Sequence, residues 1–162
     1  MHAGIIPKTW INFKVKIAKN FHTREKNMAQ ATEIKVRGYH LDLYGHVNNA
    51  RYLEFLEEAR WALVDESGGL EWFTQEKLAL VISRIDIRYK RPATMGDVLR
   101  IETRMVHLSD KEGIIHQRIV RADNEKLVAE ADVTIAVIHA NTPGAMPLDG
   151  ELGRRLQEMM NV

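Results

Sequence analysis

Apolar and polar residues recur with regular periods along most of the chain, and these periods predict its secondary structure. Residues 32–37 alternate polar and apolar side chains, which is typical of a half-buried strand. From Asn49 onward, apolar residues fall at helical spacing on one face and acidic residues occupy the other, which predicts one long helix. The segment Ser67-Gly68-Gly69 follows and is typical of a helix end.

Four strand-like runs follow the helix, and turn residues separate each run from the next. Their sequences are LALVISRIDIRYKR, DVLRIETRMVHL, GIIHQRIVRAD and KLVAEADVTIAVIHA, and the short links between them favour antiparallel neighbours. The stretch LEWFTQEK before the first run is either a short second helix or a loop, and LGRRLQEMM predicts a C-terminal helix. The pattern therefore predicts an α+β fold in which one long helix lies on a curved antiparallel sheet of about five strands.

Composition excludes several classes of protein and site. The 162 residues include 45% hydrophobic and 28% charged residues, and no apolar stretch approaches the roughly 20 residues that a membrane-spanning helix needs. The absence of cysteine excludes disulfides, thiolate metal sites and a cysteine nucleophile. It also suits a reducing compartment, so we expect a cytoplasmic protein.

The formal net charge of +1 is unevenly distributed along the chain. Residues 1–27 contain six Lys or Arg and one Glu, so the remainder is mildly acidic, and nucleic-acid binding is not expected. The first segment also lacks the apolar core and cleavage site of a secretory signal. We interpret residues 1–27 as a basic leader, either a disordered tail or translated upstream sequence, and residues 28–162 as the domain.

The loop from His40 to Asn48 carries the candidate chemistry. Asp42 precedes the predicted helix by about six residues, and Gly45 permits a tight return, so the carboxylate can approach the first helical turn. Backbone N–H groups there lack helical acceptors and the helix dipole is positive. A general base beside such N–H groups is the minimum needed to add water to an acyl group. The alternatives are that Asp42 is a cap or turn former and that Asn48 or Asn49 is a plain N-cap.

Other chemistries have weaker support in the sequence. His40, Asp42 and His46 admit a metal site, but three ligands on one short loop without a second cluster are a weak signal, and no metal is expected. His46 is more simply explained as a structural hydrogen-bonding residue. Motifs for a serine nucleophile, a P-loop or a dinucleotide site are absent, so no cofactor is expected.

The segments GYHLDLYGHVNNARYLEFLEEAR and IRYKRPATMGD resemble the hotdog-fold acyl-CoA thioesterases of the 4-hydroxybenzoyl-CoA thioesterase class. The resemblance runs over about residues 33–158 and leaves the leader outside. It implies hydrolysis of acyl-CoA in a homodimer or homotetramer whose active site lies at the subunit interface. It also implies that Asp42 is the essential carboxylate and that the backbone N–H of Asn49 polarises the thioester carbonyl.

The predicted substrate contacts lie around these two residues. His46 and Asn48 belong to the same loop, and the helix face that carries Tyr52 and Phe55 is apolar enough to line a tunnel for a fatty acyl chain. Ordinary core packing is the alternative for Tyr52 and Phe55. The resemblance also points to long chains.

The coenzyme A end of the substrate requires cations. In RIDIRYKRP, alternation places Arg88 and Lys90 on one strand face, and Arg91 begins the following turn, so these three are candidates for binding the phosphates. A solvated strand face is the alternative.

Two further functions remain open at this point. A hotdog-fold dehydratase would need a histidine that the predicted helix does not provide, and a non-catalytic acyl-binding module would not need Asp42 together with Gly45 and both asparagines. The sequence leaves open whether Asp42 activates water or attacks the thioester directly to form an anhydride.

Overall fold

The computed structural model describes residues 30–160, and the basic leader predicted over residues 1–27 lies outside them. The strands are β1 (Gln30–Lys35), β2 (Leu78–Tyr89), β3 (Val98–Leu108), β4 (Gly113–Arg121), β5 (Leu127–His139) and β6 (Thr142–Ala145). The helices are α1 (Asn49–Glu66), α2 (Gly69–Gln75) and α3 (Gly150–Glu158), and a single 3₁₀ turn spans Gly38–His40.

The strands form one antiparallel sheet in the order β1-β3-β4-β5-β2, and the short β6 pairs with the end of β5. The long strands β3, β4 and β5 have alternating buried and partly exposed residues, because one face lies against the helices and the other faces solvent. The prediction of one long helix on an antiparallel sheet of about five strands is confirmed. The four residues of β6 were not predicted, since TPGA lacks strand periodicity.

Helix α1 packs its apolar face on the sheet, mainly against β1 and β3. Side chains at helical spacing are buried there, among them Tyr52, Phe55, Leu56, Ala59 and Leu63. Beyond the helix, Gly68 adopts a left-handed conformation with φ of 65°, which glycine tolerates better than other residues. The predicted start and end of the long helix are therefore confirmed.

A buried polar chain ties α1 to the middle of the sheet. Arg60 donates from Nη1 to Oε1 of Gln117 (2.9 Å), and burial lowers the pKa of its guanidinium. Gln117 donates in turn to the Leu56 carbonyl (2.9 Å) and to Oγ1 of Thr103 (3.0 Å). Breaking one member would leave a buried group without its partner, so the chain fixes the helix on β3 and β4.

The two shorter helices cover the sheet beyond α1. The stretch that the sequence left as helix or loop forms α2, which packs against β2, and the predicted C-terminal helix is α3. The Arg155 guanidinium lies 4.6 Å from the ring centroid of Trp72, so a cation–π contact joins the two helices. No helix within residues 30–160 is long and apolar enough to cross a membrane.

Candidate active site

The loop between the 3₁₀ turn and α1 is a small hairpin. The Asn48 N–H donates to the His40 carbonyl (2.9 Å), Leu41 pairs with Val47, and the Asp42 N–H donates to the His46 carbonyl (2.8 Å). At the tip Gly45 has φ of 75°, and its N–H returns to the Asp42 carbonyl (3.1 Å). The backbone thus holds Asp42 opposite His46, in a hydrogen-bonded hairpin that leads directly into the helix start.

Only one side-chain oxygen of Asp42 is held by the loop. Its Oδ1 accepts the Tyr44 N–H (2.8 Å) and, at a longer distance, the His46 N–H (3.4 Å). Its Oδ2 has no hydrogen-bond partner among residues 30–160. The carboxylate is partly exposed, so it forms the predicted turn and also presents an oxygen to a ligand.

The two asparagines share the capping of α1. Asn48 is the N-cap, and its Oδ1 accepts the Ala50 N–H (2.9 Å), as does Oδ1 of Asn49 (3.0 Å). The Asn49 N–H is in the first helical turn, where no intrahelical acceptor exists, and it has no acceptor elsewhere in the described chain. It is therefore available to a carbonyl oxygen, at the positive end of the helix dipole.

The histidines of the loop differ in their surroundings. His40 is buried, its Nδ1 accepts the Arg37 N–H (3.0 Å), and its ring lies 4.9 Å from that of Phe55. The pKa of His40 is lowered mainly by burial and, to a smaller extent, by the positive charge of Arg51. His46 is exposed, and its backbone forms an isolated antiparallel bridge with the backbone of Thr94. No group of three or more potential ligands is close enough to hold a metal within the described part of the chain.

Tyr52 and Phe55 lie below the hairpin, in the hydrophobic core. Both are at most 4% exposed, and their rings are 6.1 Å apart in an edge-on arrangement. The Tyr52 hydroxyl accepts the Ala93 N–H (3.2 Å), and burial raises the pKa of that hydroxyl. These contacts are those of core residues, the alternative that the sequence left open.

Tyr89, which the sequence argument did not single out, contacts the helix start. Its hydroxyl donates to the Asn49 carbonyl (3.0 Å), and its ring lies 5.5 Å from that of Tyr52. The signal was present in RIDIRYKRP, where alternation places Tyr89 on the face opposite Arg88 and Lys90. Because coenzyme A requires cations, the charged face was predicted to contact substrate and the apolar face was not.

The three predicted phosphate-binding cations are not equivalent. Lys90 pairs with Glu130 (3.1 Å), and Nη1 of Arg91 donates to the Leu127 carbonyl (2.9 Å). Arg88 is exposed and has no hydrogen-bond or ion-pair partner among residues 30–160. Of the three, Arg88 is the cation that a phosphate would meet without displacing an existing contact.

Comparison with known proteins gives consistent similarities. Residues 36–156 match the model of the thioesterase-like superfamily. The chain is 46% identical over 129 residues to the long-chain acyl-CoA thioesterase FadM of Escherichia coli K12, covering 80% of this chain and 98% of FadM. It is 30% identical over 98 residues to the acyl-CoA thioester hydrolase YbgC of Escherichia coli O6:H1, covering 60% and 72% of the two chains.

A solved structure agrees with the sequence matches. The crystal structure of the probable thioesterase YbaW from Escherichia coli superposes with a TM-score of 0.77 at 46% identity, covering 81% of this chain and 98% of that one.

Proposed function

The chain belongs to the thioesterase-like superfamily and is an acyl-CoA thioesterase, and we propose that it hydrolyses long-chain fatty acyl-CoA with Asp42 as general base. The observation that carries this proposal is that one carboxylate oxygen and one helical N–H, on the same hairpin and helix start, both lack a partner in the described fold. Oδ2 of Asp42 and the N–H of Asn49 belong to one hydrogen-bonded hairpin–helix unit, and neither has a partner within the described fold.

The two groups supply the two requirements of thioester hydrolysis. The Asp42 carboxylate takes a proton from water as the water oxygen bonds to the thioester carbon. The Asn49 N–H, with the helix dipole behind it, stabilises the negative charge that forms on the carbonyl oxygen. Collapse of the tetrahedral intermediate breaks the C–S bond, and the thiolate of coenzyme A receives the proton from Asp42. The fatty acid and free coenzyme A are the products. Direct attack by Asp42, with an anhydride intermediate, is the alternative route.

We also propose that the enzyme is a homodimer or a homotetramer with its site at the subunit interface. Strand β2 is 12 residues long, lies at one edge of the sheet and pairs with β5 alone within residues 30–160. A long edge strand whose outer side has no neighbouring strand in the described sheet is the kind of edge that soluble proteins cover. Pairing with a second copy would cover it symmetrically.

The cytoplasmic location stays a prediction from the cysteine-free sequence.

The test is release of free thiol from acyl-CoA by the wild type and by Asp42→Asn. Asparagine keeps the Oδ1 acceptor for the Tyr44 N–H but cannot take a proton, so we expect a loss of at least about 10² in kcat/KM with an unchanged fold. Among acetyl-, octanoyl-, palmitoyl- and 4-hydroxybenzoyl-CoA, the wild type should prefer palmitoyl-CoA, because each buried methylene contributes about 0.8 kcal/mol.

Two results would contradict the proposal. A near-normal rate of hydrolysis in Asp42→Asn would show that Asp42 is not the general base. A preference for acetyl- or 4-hydroxybenzoyl-CoA would remove the long-chain assignment while leaving the thioesterase activity in place.

A further inference from the structure

Strand β2 carries a row of apolar side chains on the inner face of the sheet, the face that the helices cover, and this row is incompletely covered. The β2 row consists of Leu80, Ile82, Ile85, Ile87 and Tyr89. Each residue lies directly opposite a buried β5 residue, such as Val137 opposite Leu80 or Val133 opposite Ile85, and directly opposed antiparallel residues share a face. Yet Ile82 is 39% and Tyr89 46% exposed. The helix α1 packs mainly on β1 and β3, at the other end of the sheet, and of the β2 row only Leu80, Ile85 and Ile87 are partly buried against the core.

The β2 row joins the start of α1 to its far half. At one end the Tyr89 hydroxyl bonds to the Asn49 carbonyl, beside the candidate oxyanion N–H. At the other end Leu80 shares a cavity with Trp61 and Val64, near the end of the same helix. The row therefore runs alongside α1, in the opposite chain direction, from the candidate active site to this cavity.

The cavity, called the distal cavity below, is small and apolar. It has a volume of about 170 Å³ and lies between α1, α2 and β2. Its apolar lining comes from Trp61, Val64, Leu70, Phe73, Leu78 and Leu80. The one hydroxyl in its wall, that of Thr74, donates to the Leu70 carbonyl (2.9 Å), so its hydrogen is not available to a polar ligand. Such a lining favours a hydrocarbon group over a polar one.

The distance from the candidate active site to the distal cavity fits a long acyl chain. With a rise of about 1.5 Å per residue, Trp61 lies about 18 Å and Val64 about 22 Å along the helix from Asn49. Carbon–carbon bonds of about 1.5 Å in a staggered chain advance roughly 1.25 Å per carbon, so about 16 carbons span about 20 Å.

We propose, on the basis of the proposed function, that the substrate's acyl chain lies along the β2 row and that its methyl end enters the distal cavity, which sets the maximum chain length. This route differs from the helix face of Tyr52 and Phe55, whose side chains are already buried in the core. The half-covered row supplies contacts for the middle of the chain, and the distal cavity supplies contacts for its last carbons.

Two blocking substitutions test the route at different distances from the thioester. Leu70→Trp fills the distal cavity from α2, at a side chain that is 44% exposed and can therefore be enlarged without disturbing the core. Ile85→Trp blocks the β2 row near its middle. For each variant, kcat/KM is measured with butyryl-, dodecanoyl- and palmitoyl-CoA. Comparing substrates within one variant cancels any loss of folded protein.

The expected results are graded. In Leu70→Trp the ratio of palmitoyl to dodecanoyl activity should fall at least about tenfold, since each methylene kept from its site costs about fourfold in affinity. In Ile85→Trp both long substrates should fall relative to butyryl-CoA. Arg84→Trp is the matched control, because it adds the same side chain to the outer face of the same strand, and its chain-length profile should equal that of the wild type.

Opposite results separate this inference from the proposed function. An active wild type with unchanged ratios in both blocking variants would overturn the route alone. A Leu70→Trp protein with a changed sedimentation mass and an unchanged ratio would also overturn it, because the distal cavity would then face a second copy of the chain. A wild type inactive towards every acyl-CoA would overturn the proposed function itself.

Discussion

Asp42 differs from His40, Asn48 and Asn49 in keeping a side-chain oxygen without a bond inside the described fold. The side-chain oxygens of Asn48 and Asn49 both accept the Ala50 N–H, and the ring of His40 is fixed by the Arg37 N–H. These three residues therefore hold the junction in place. The polar chemistry that the sequence concentrates before α1 is divided in this way between positioning groups and a single carboxylate available to a substrate.

The buried ring of His40 predicts a pH dependence of stability. Its pKa is lowered in the fold, chiefly by burial, from an unfolded value near 6.5. The unfolded chain therefore binds the proton more readily, and the free energy of unfolding should fall as the pH drops from about 6.5 through the lower folded pKa. Above pH 6.5 this contribution is fully present. Urea unfolding at a series of pH values measures the slope.

A pair of variants isolates the effect of His40. His40→Asn removes the titrating ring and should flatten the slope between neutral and mildly acidic pH, although it loses the contact with Phe55 and so some stability at neutral pH. His46→Asn, an exposed position on the same hairpin, should keep the wild-type slope. Equal slopes in both variants would show that His40 does not cause the dependence.

At the scale of elements, the sequence predicts where the long helix and the strands lie, but it predicts less well which elements pack against one another. The start of α1 follows from the asparagines and the apolar period, and β3 to β5 follow from alternation between turn residues. A period shows which face of an element is apolar, but it does not show what covers that face. For this reason Tyr52 and Phe55 remained either core or tunnel residues until the structure placed them in the core.

Strand β2 shows the same limit from the other direction. As an edge strand it has partly exposed residues on both faces, so its burial pattern does not distinguish inside from outside. The prediction emphasised the charged face of Arg88 and Lys90, and only the register with β5 reveals that the opposite row leads to the helix start. The partners of Lys90 and Arg91 likewise depend on β5 lying beside them, which no local period encodes.

Arg88 gives the clearest test of the predicted phosphate contacts. Arg91 is less suitable, because its side chain also supports the Leu127 carbonyl. If Arg88 binds a phosphate of coenzyme A, Arg88→Glu should raise KM for acyl-CoA roughly tenfold or more, in the range of hydrogen bonds to charged groups. The same acyl group on a short uncharged thiol should show little change, and the difference should shrink with added salt.

Arg84→Glu provides the control for that experiment. It makes the same charge reversal on the same face of β2, four residues farther from the end of β2 that contacts α1. Its KM for acyl-CoA should rise less than that of Arg88→Glu. Equal effects of the two variants, or equal effects on both substrates, would show that Arg88 does not bind a phosphate and belongs to a solvated strand face.

For the whole molecule, coverage of the sheet is uneven. The core is closed where α1 packs on β1 and β3, while β2 has α2 over its first residues and the exposed side chains of Ile82 and Tyr89 beyond them. The sheet is therefore well covered at its β1 end and partly exposed at its β2 end. The partly exposed end is also where Tyr89 contacts the start of α1, so the proposed association and the candidate site share a location.

The last prediction follows from that shared location. The wild type should sediment as a dimer or a tetramer, and its activity per chain should fall on dilution once the assembly dissociates. Val81→Lys places a charge on a partly exposed side chain of β2 outside the β2 row, where lysine on an edge strand opposes pairing without entering the proposed acyl route. We expect this variant to sediment as a monomer with the wild-type circular dichroism spectrum and with most of its thioesterase activity lost. A monomeric wild type, or a monomeric variant with full activity, would show that one chain contains the complete site.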